Sequence, residues 1–406
     1  MILAHVIELD PTVAQSNALA RACGVARFTY NWALAEWKRQ YEAGGKPSAG
    51  KLKKQFNALK GTEFPWIYES PRDANSQAFA DLGVAFRNFF ASCKGQRKGK
   101  KIGYPSPRKR GRDDAFYVAN DKFHFDGDRV VLPVLGAVKI HERLRLAGKI
   151  LSGRVRRRAD RWFLAIQVDV GDLHRAVPEV RRPIIGVDLG LKSAVVTSAV
   201  QAIQAPKPLR KGLRRLRRAN QALHRRQKGG RNRHKARRSV ARLHLRIADV
   251  RKDFWHKVTT NLCRENQAVV IEDLSVRFMV RNRHLSRAAS DCALGRFRPL
   301  MTYKGPLYQC QVIVADRFYP STKRCSRCGH VKTEMPLSER VYRCEPCGLV
   351  LDRDVNAALN LEAYPRLRGT GGFVPPTPME TCASTRKRAS RVAEVGTNPC
   401  PHVDTI

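Results

Sequence analysis

Hydrophobic and polar positions change rhythm several times along the chain, and each change marks a new element. Residues 2 to 9, ILAHVIEL, are apolar and β-branched and run into Asp10-Pro11-Thr12, which predicts a strand ended by a turn. From Val13 to about Tyr41 the apolar residues follow helical spacing (Leu19, Ala22, Cys23, Ala26, Tyr30), and Gly44-Gly45 closes that helix. A second helix is predicted from about Asn75 to Phe90, with Phe79, Leu82, Ala85, Phe86, Phe89 and Phe90 on one side. Residues 115 to 170 alternate and turn repeatedly, which predicts four or five strands. Together with the first strand these suit a small barrel interrupted by the helices.

Past Pro183 the pattern becomes βαβ-like. Apolar strands are predicted at 184–188, 194–198, 268–272 and 312–316, with a helix near 294–309, so the class is α/β with a mixed sheet and helices on its faces. Between the second and third of these strands, Leu209, Leu213, Leu216 and Leu223 precede Gly229-Gly230. Val240, Leu243, Ile247, Val250, Phe254 and Val258 follow it at helical spacing. Two antiparallel helices joined at the glycine pair are expected. Residues 364 to 406 are rich in Pro, Gly, Thr and Ser without an apolar period, and a disordered tail is expected there.

Charge adds a partner to this picture. Across 406 residues, 77 Lys and Arg stand against 35 Asp and Glu, a net charge of +42, while 43% hydrophobic residues leave ample material for cores. A folded protein this basic calls for a polyanion, and nucleic acid is the first candidate, ahead of a membrane surface or an anionic polysaccharide. The basic residues are concentrated: residues 207 to 258 hold 20 Lys and Arg and two acids. A coiled coil that merely faced solvent would mix signs, so the hairpin is expected to hold phosphates through Arg214, Arg215, Arg217, Arg218, Arg225 and Arg226. The loops 94–101 and 105–112, carrying Lys98, Lys100, Lys101, Arg108 and Arg110, are expected to do the same. No apolar run approaches the roughly 18 residues of a membrane span, and the first residues carry acids and Pro11 in place of a leader, so no membrane contact and a cytoplasmic location are expected.

Three acids and four cysteines carry the candidate chemistry. Asp188 and Glu272 each close an apolar strand, and Asp354 opens a helix whose Ala357, Ala358 and Leu361 suit close packing on a sheet. Carboxylates converging on one point repel and persist where cations join them. Mg²⁺ or Mn²⁺ fits oxygen donors, and a pair of such ions suits phosphodiester cleavage. Cys325, Cys328, Cys344 and Cys347 form C-x2-C-x15-C-x2-C with Gly329 and Gly348 after each pair, the spacing of a closed structural zinc ribbon. The other cysteines form no disulfide framework, and Cys23, Cys93, Cys263, Cys292 and Cys310 are expected in core-like surroundings.

On these residues the chain resembles the TnpB family, transposon-encoded nucleases related to the compact type V CRISPR effectors. GVDLGLKSAVVTS (186–198) resembles the first RuvC motif and VVIEDLSVRFMVRNRHLSRAASD (269–291) the second. YPSTKRCSRCGHVK through YRCEPCGLVLDRDVNAALNL (319–361) resembles a zinc ribbon running into the third. RFTYNWAL (27–34) and SQAFADLGVAFRNFF (76–90) are also similar to family segments, whereas SDCALGRFRPLMTYKG (290–305) departs from the usual pattern.

The resemblance implies an RNA-guided DNA endonuclease of an insertion-sequence-type transposon, with guide RNA and double-stranded target DNA as partners. It implies a wedge-like β-barrel at 1–11 and 113–180 and a helical recognition insert at 12–112. An RNase H-like RuvC nuclease domain at 181–318 and 349–363 would carry the basic hairpin, 207–264, and an inserted zinc ribbon at 319–348. Asp188, Glu272 and Asp354 become the catalytic acids. Asp354 is favoured over Asp352 because it directly precedes the x-N-A-A segment. A nuclease-dead RNA-guided repressor would lose one of these acids, and an RNase H-like transposase acting without RNA would not need the ribbon or the N-terminal elements.

Overall fold

A computed structural model describes residues 1–97, 99–336 and 338–367. The first strand is β1 (Ile2–Asp10), followed by α1 (Val13–Glu42). Thr12 starts that helix with a capping box, its hydroxyl accepting from the Gln15 N–H while the Gln15 side chain accepts from the Thr12 N–H. Two further helices, α2 (Ala49–Leu59) and α3 (Arg72–Cys93), pack on α1 around Leu19, Phe56, Phe79, Leu82 and Phe86. Helix α2 had no separate signal because only Leu52 and Phe56 are buried along it.

Six strands follow where four or five were expected: β2 (Ala115–Ala119), β3 (His124–Asp126), β4 (Arg129–Leu132), β5 (Gly136–Ile140), β6 (Lys149–Arg158) and β7 (Arg161–Asp169). Strands of three and four residues are too short for alternation to separate them. With β1 they form a seven-stranded antiparallel sheet in the order β2-β6-β7-β1-β5-β4-β3. Strands β2 and β3 are neighbours in sequence yet lie at opposite edges. Six strand spacings of a flat sheet amount to about 29 Å, while the link from residue 119 to 124 reaches about 17 Å. The sheet therefore curls, and Phe123 packs against Gly153 of β6, where a Cβ would sit 3.1 Å from its ring.

The second body is built on a mixed sheet, as expected. Its strands are β8 (Arg182–Asp188), β9 (Val195–Thr197), β10 (Ala202–Ile203), β11 (Asn266–Ile271) and β12 (Gln311–Val314). They lie in the order β10-β9-β8-β11-β12, with β8, β11 and β12 parallel. Between β10 and β11 runs the basic hairpin, α4 (Pro208–His224) and α5 (Arg231–Glu265). Short helices α6 (Val276–Arg281) and α7 (Ser286–Cys292) follow β11, and α8 (Phe297–Leu307) leads into β12. Helices α5 and α8 cover one face of the sheet through Trp255, Leu262, Phe297 and Met301. Beyond β12 come the two-stranded ribbon β13 (Val341–Arg343) and β14 (Val350–Asp352), then α9 (Arg353–Leu367), which covers the other face through Leu361.

Helix α9 meets β8 at backbone distance. A Cβ on Gly186 would collide with the Ala358 carbonyl oxygen and come within 2.5 Å of the Glu362 nitrogen. Fully buried Ala357 and Ala358 complete this contact. The helix extends four residues past 363, where the tail was expected to begin, and residues 368–406 of that expected tail lie outside the described residues. Cys93 is exposed, unlike the core-like setting expected for it, because it falls in the last turn of α3 beyond the buried face. Among the described residues no helix is long and apolar enough to cross a membrane.

Gly186→Ala should therefore cost about 3 kcal/mol through overpacking against a rigid backbone. Hydrogen exchange should show lost protection across β8 and α9; protection equal to the parent's would contradict the contact.

Candidate active site and nucleic-acid surface

The three acids come together at one edge of the mixed sheet. Val187 of β8 pairs with Ile271 of β11 in parallel register, so the next residue on each strand, Asp188 and Glu272, emerges side by side at the carboxyl edge. Residues two apart on a strand share a face, so Asp188 lies on the same side as Gly186, the side covered by α9. Asp354 sits in the first turn of that helix. Burial first, then Glu272 and Asp354, hold the Asp188 carboxyl well above the usual carboxylate range. Burial also raises Glu272, with Asp354 adding to the shift and a 2.6 Å hydrogen bond from the Ser321 hydroxyl opposing it.

Asp352 has different work. Its Oδ1 accepts the backbone N–H groups of Asp354 at 2.9 Å and Val355 at 3.2 Å, the contacts of a helix N-cap. Asp354 carries no such duty, and Arg353 Nε approaches its Oδ1 at 3.4 Å. The neighbouring Asp273 is neutralised by Arg298 and by Arg317, the latter at 2.7 Å.

The four cysteine sulfurs lie within 4.8 Å of one another. Cys325 and Cys347 sulfurs are 3.6 Å apart, and those of Cys328 and Cys344 are 3.5 Å apart. A tetrahedral ion with Zn–S bonds of about 2.3 Å needs about 3.8 Å between sulfurs, so the donor set fits. Two matching turns build the site: Gly329 N–H donates to Cys325 O and Gly348 N–H to Cys344 O, each glycine having positive φ. Fully buried Tyr342 lies beneath the thiols, its hydroxyl donating to Lys323 O.

Several positioning residues escaped the sequence reading. Asn356 and Asn360 of α9 are buried and tie the helix to the chain entering the ribbon, donating to Arg324 O at 2.7 and 2.6 Å. Two asparagines four apart on an otherwise apolar helix face were the available signal. Asp291, also buried, accepts the Leu209 and Arg210 N–H groups at the start of α4, both at 2.9 Å, and pairs with Arg251 of α5 at 3.0 Å. It fixes both arms of the basic hairpin to α7. No sequence pattern announces a cap supplied from 82 residues away.

Candidate phosphate contacts divide into two groups. On the hairpin, Arg214, Arg215, Arg217, Arg218, Arg225 and Arg226 are all exposed, while Leu216 between them is buried. Lys100, Lys101 and Arg110 are exposed as well. Arg108 is held in place: it pairs with Asp81 at 2.7 Å and lies 4.0 Å over the Tyr30 ring. Lys98 lies outside the described residues.

Comparison with known proteins adds a lineage to this geometry. The profile of a family described as "Probable transposase" matches residues 165–283, that of a Cas12f1-like TNB domain matches 295–361, and that of a helix-turn-helix domain matches 1–46. The last stretch is a strand and one long helix in this structure. A Streptomyces pristinaespiralis protein named "Putative RNA-guided DNA endonuclease" is 37% identical over 87% of this chain and 87% of its own. The Escherichia coli K12 protein named "Putative RNA-guided DNA endonuclease InsQ" is 30% identical over 88% of this chain and 90% of its own. A solved mini-RNA-guided endonuclease, CRISPR-Cas phi3, aligns over 89% of this chain and 92% of its own at 9% identity and a TM-score of 0.45, too loose a likeness to carry an argument. Identity at this level across most of both chains, together with family profiles that cover the strand-edge acids and the cysteine cluster, means that the chain belongs to the TnpB family.

Proposed function

We propose that the protein is an RNA-guided DNA endonuclease in which Asp188, Glu272 and Asp354 hold Mg²⁺ or Mn²⁺ and cut the target phosphodiester. The observation that carries this reading is the parallel register that sets Asp188 beside Glu272, with Asp354 delivered onto the same edge by α9. Three hard oxygen donors, with the Asp188 carboxyl raised by burial and then by its two acidic neighbours, form a donor set suited to divalent cations. Such ions supply an activated water and stabilise the leaving oxygen. The chain's own part is positioning: the Ser321 hydroxyl orients Glu272, the Asp352 cap fixes the turn that bears Asp354, and Gly186 lets the helix that carries this turn approach at Ala358 and Glu362.

The same reading assigns roles to the rest of the chain. The curled sheet, residues 1–11 and 113–180, is a wedge-like barrel, and 12–112 is the recognition insert that with it holds guide RNA. Residues 181–318 and 349–363 form the RuvC nuclease domain. Segment 319–348 is a ribbon closed by structural Zn²⁺, for its four thiolates leave no open position. Target choice rests on base pairing by the guide, and the basic hairpin supplies sequence-independent phosphate contacts.

Replacing Asp188 with Ala should reduce cutting of a matched duplex by about 10³-fold or more, the scale of losing a group that meets transition-state charge, with guided binding nearly intact. The raised carboxyl also sets a stability sign: burial and the neighbouring acids penalise the ionised form in the folded state only, a cost that sets in as pH rises above the unfolded carboxyl range, so near pH 7 the metal-free Asp188→Ala chain should be at least as stable as the parent. Parent-like cutting by Asp188→Ala, or undiminished cutting in excess chelator, would refute the role. Asp352→Ala separates the neighbouring acids. It should lose about 1 kcal/mol of helix capping and keep cutting within a few-fold, whereas Asp354→Ala should not cut.

Converting Arg214, Arg215, Arg217 and Arg218 to Ala should reduce the slope of log affinity against log salt by roughly 3 for four lost phosphate contacts. An unchanged slope would leave this helix facing solvent alone. Cys344→Ser should bring zinc well below one ion per chain by elemental analysis, since removing one thiolate opens a closed site; full zinc content would contradict the assignment.

A further inference from the structure

The cleft beside Glu272 carries an aromatic side chain that no role described so far accounts for. Phe318 is 87% exposed, the most exposed phenylalanine among the described residues, and lines a cleft of about 460 Å³ together with Glu272, Ser321 and Lys323. Its exposure does not come from a slack loop. Asp316 accepts the Phe318 N–H at 2.8 Å, and the Asp316 N–H donates to the Tyr364 hydroxyl on α9 at 3.1 Å. Tyr319 turns inward, its ring 4.8 Å from that of Tyr364 and its hydroxyl donating to Asn360 O. Ser321 closes the segment onto Glu272 at 2.6 Å. A backbone fixed on both sides thus leaves one exposed ring in the cleft that Glu272 also lines.

Placement narrows what the ring meets. Phe318 follows β12 and Glu272 follows β11, adjacent parallel strands, so both leave the sheet at the same edge. Phe278, 70% exposed on α6, also lies on the chain leaving β11. A lone exposed apolar residue needs no explanation, but a rigidly held one at a site for nucleic acid has an obvious class of partner. A base has a π-face, and stacking on an aromatic ring is independent of base identity, as guided cutting of any sequence requires. A cleft of this size falls within the range of small-ligand sites.

We propose that Phe318 is a stacking platform for an unpaired base of the strand being cut, next to the scissile phosphate, and so a residue that positions the substrate. The proposal rests on the nuclease reading above. It requires the strand to enter single-stranded, because a base inside a duplex has both faces covered by its stacked neighbours.

The test pairs cutting with a direct report of stacking. Phe318→Ala, Phe318→Leu, Phe318→Tyr and Phe318→Trp are compared as RNA-bound complexes for guided binding, for cutting with Mg²⁺, and for fluorescence of a single-stranded oligodeoxynucleotide containing 2-aminopurine, bound in chelator. Ala and Leu should slow cutting by about tenfold to a hundredfold, the range for losing one base–aromatic stack, and leave 2-aminopurine bright. Tyr and Trp should restore cutting and quenching, while guided binding stays at the parent level throughout. Leu performing as well as Tyr, Ala cutting at the parent rate with parent quenching, or loss of guided binding in step with cutting would each overturn the proposal. A parent complex that quenches 2-aminopurine through Phe318 but does not cut would instead fault the nuclease reading.

Discussion

One contact governs the candidate site: the backbone of α9 lying directly on β8 at Gly186, where no side chain fits. Two of the acids are register neighbours on adjacent strands and need only a sheet to meet. The third comes from a helix more than eighty residues later, after the whole ribbon segment. Without the close approach, Asp354 would stand off by the thickness of an ordinary helix–sheet layer. The buried asparagines of α9, the Asp352 cap and the Ser321 bond to Glu272 all act on the same small region, so ribbon, helix and sheet are fixed to one another around the acids.

Electrostatics works on two scales. The molecule as a whole carries +42, and its basic hairpin presents a row of exposed arginines, a field that gathers polyanions from a distance. Set within this field is a group of three carboxylates, of which Asp188 and Glu272 are raised first by burial and further by their acidic neighbours. Phosphate attracted by the surface would be repelled at that group unless cations joined it. The charge distribution thus separates a basic surface suited to polyanions from an acidic group suited to cations. Asp291 links the two regions mechanically, by capping α4 from the segment that follows Glu272.

Much of this was legible in the sequence. The strands ending in Asp188 and Glu272, the helix beginning near Asp354 and the hairpin broken at Gly229-Gly230 all have strong local periodicity, and the structure has them with small shifts at the ends. The cysteine spacing announced a four-sulfur cluster for the same reason: both pairs bring their own turn. What stayed hidden depends on partners distant in sequence. The order of the curled sheet, with β1 between β5 and β7, cannot be read from any one strand. The pairing of Arg108 with Asp81 and Tyr30, and the capping of α4 by Asp291, join residues too far apart in sequence to leave a local pattern. Phe318 carries no periodic signal, because its meaning lies in the edge from which it emerges.

On the proposed function, this junction of sheet and helix forms a divalent-cation site. Titrating the RNA-free protein with Mn²⁺ while following the ion by electron paramagnetic resonance tests it most directly, beside Asp188→Asn, Glu272→Gln and Asp354→Asn, which keep shape and remove charge. Bound Mn²⁺ is expected in the parent, with at least about tenfold weaker binding in each variant, since each loses one charged oxygen ligand. Parent protein that binds no Mn²⁺, or three variants that bind it as the parent does, would contradict it.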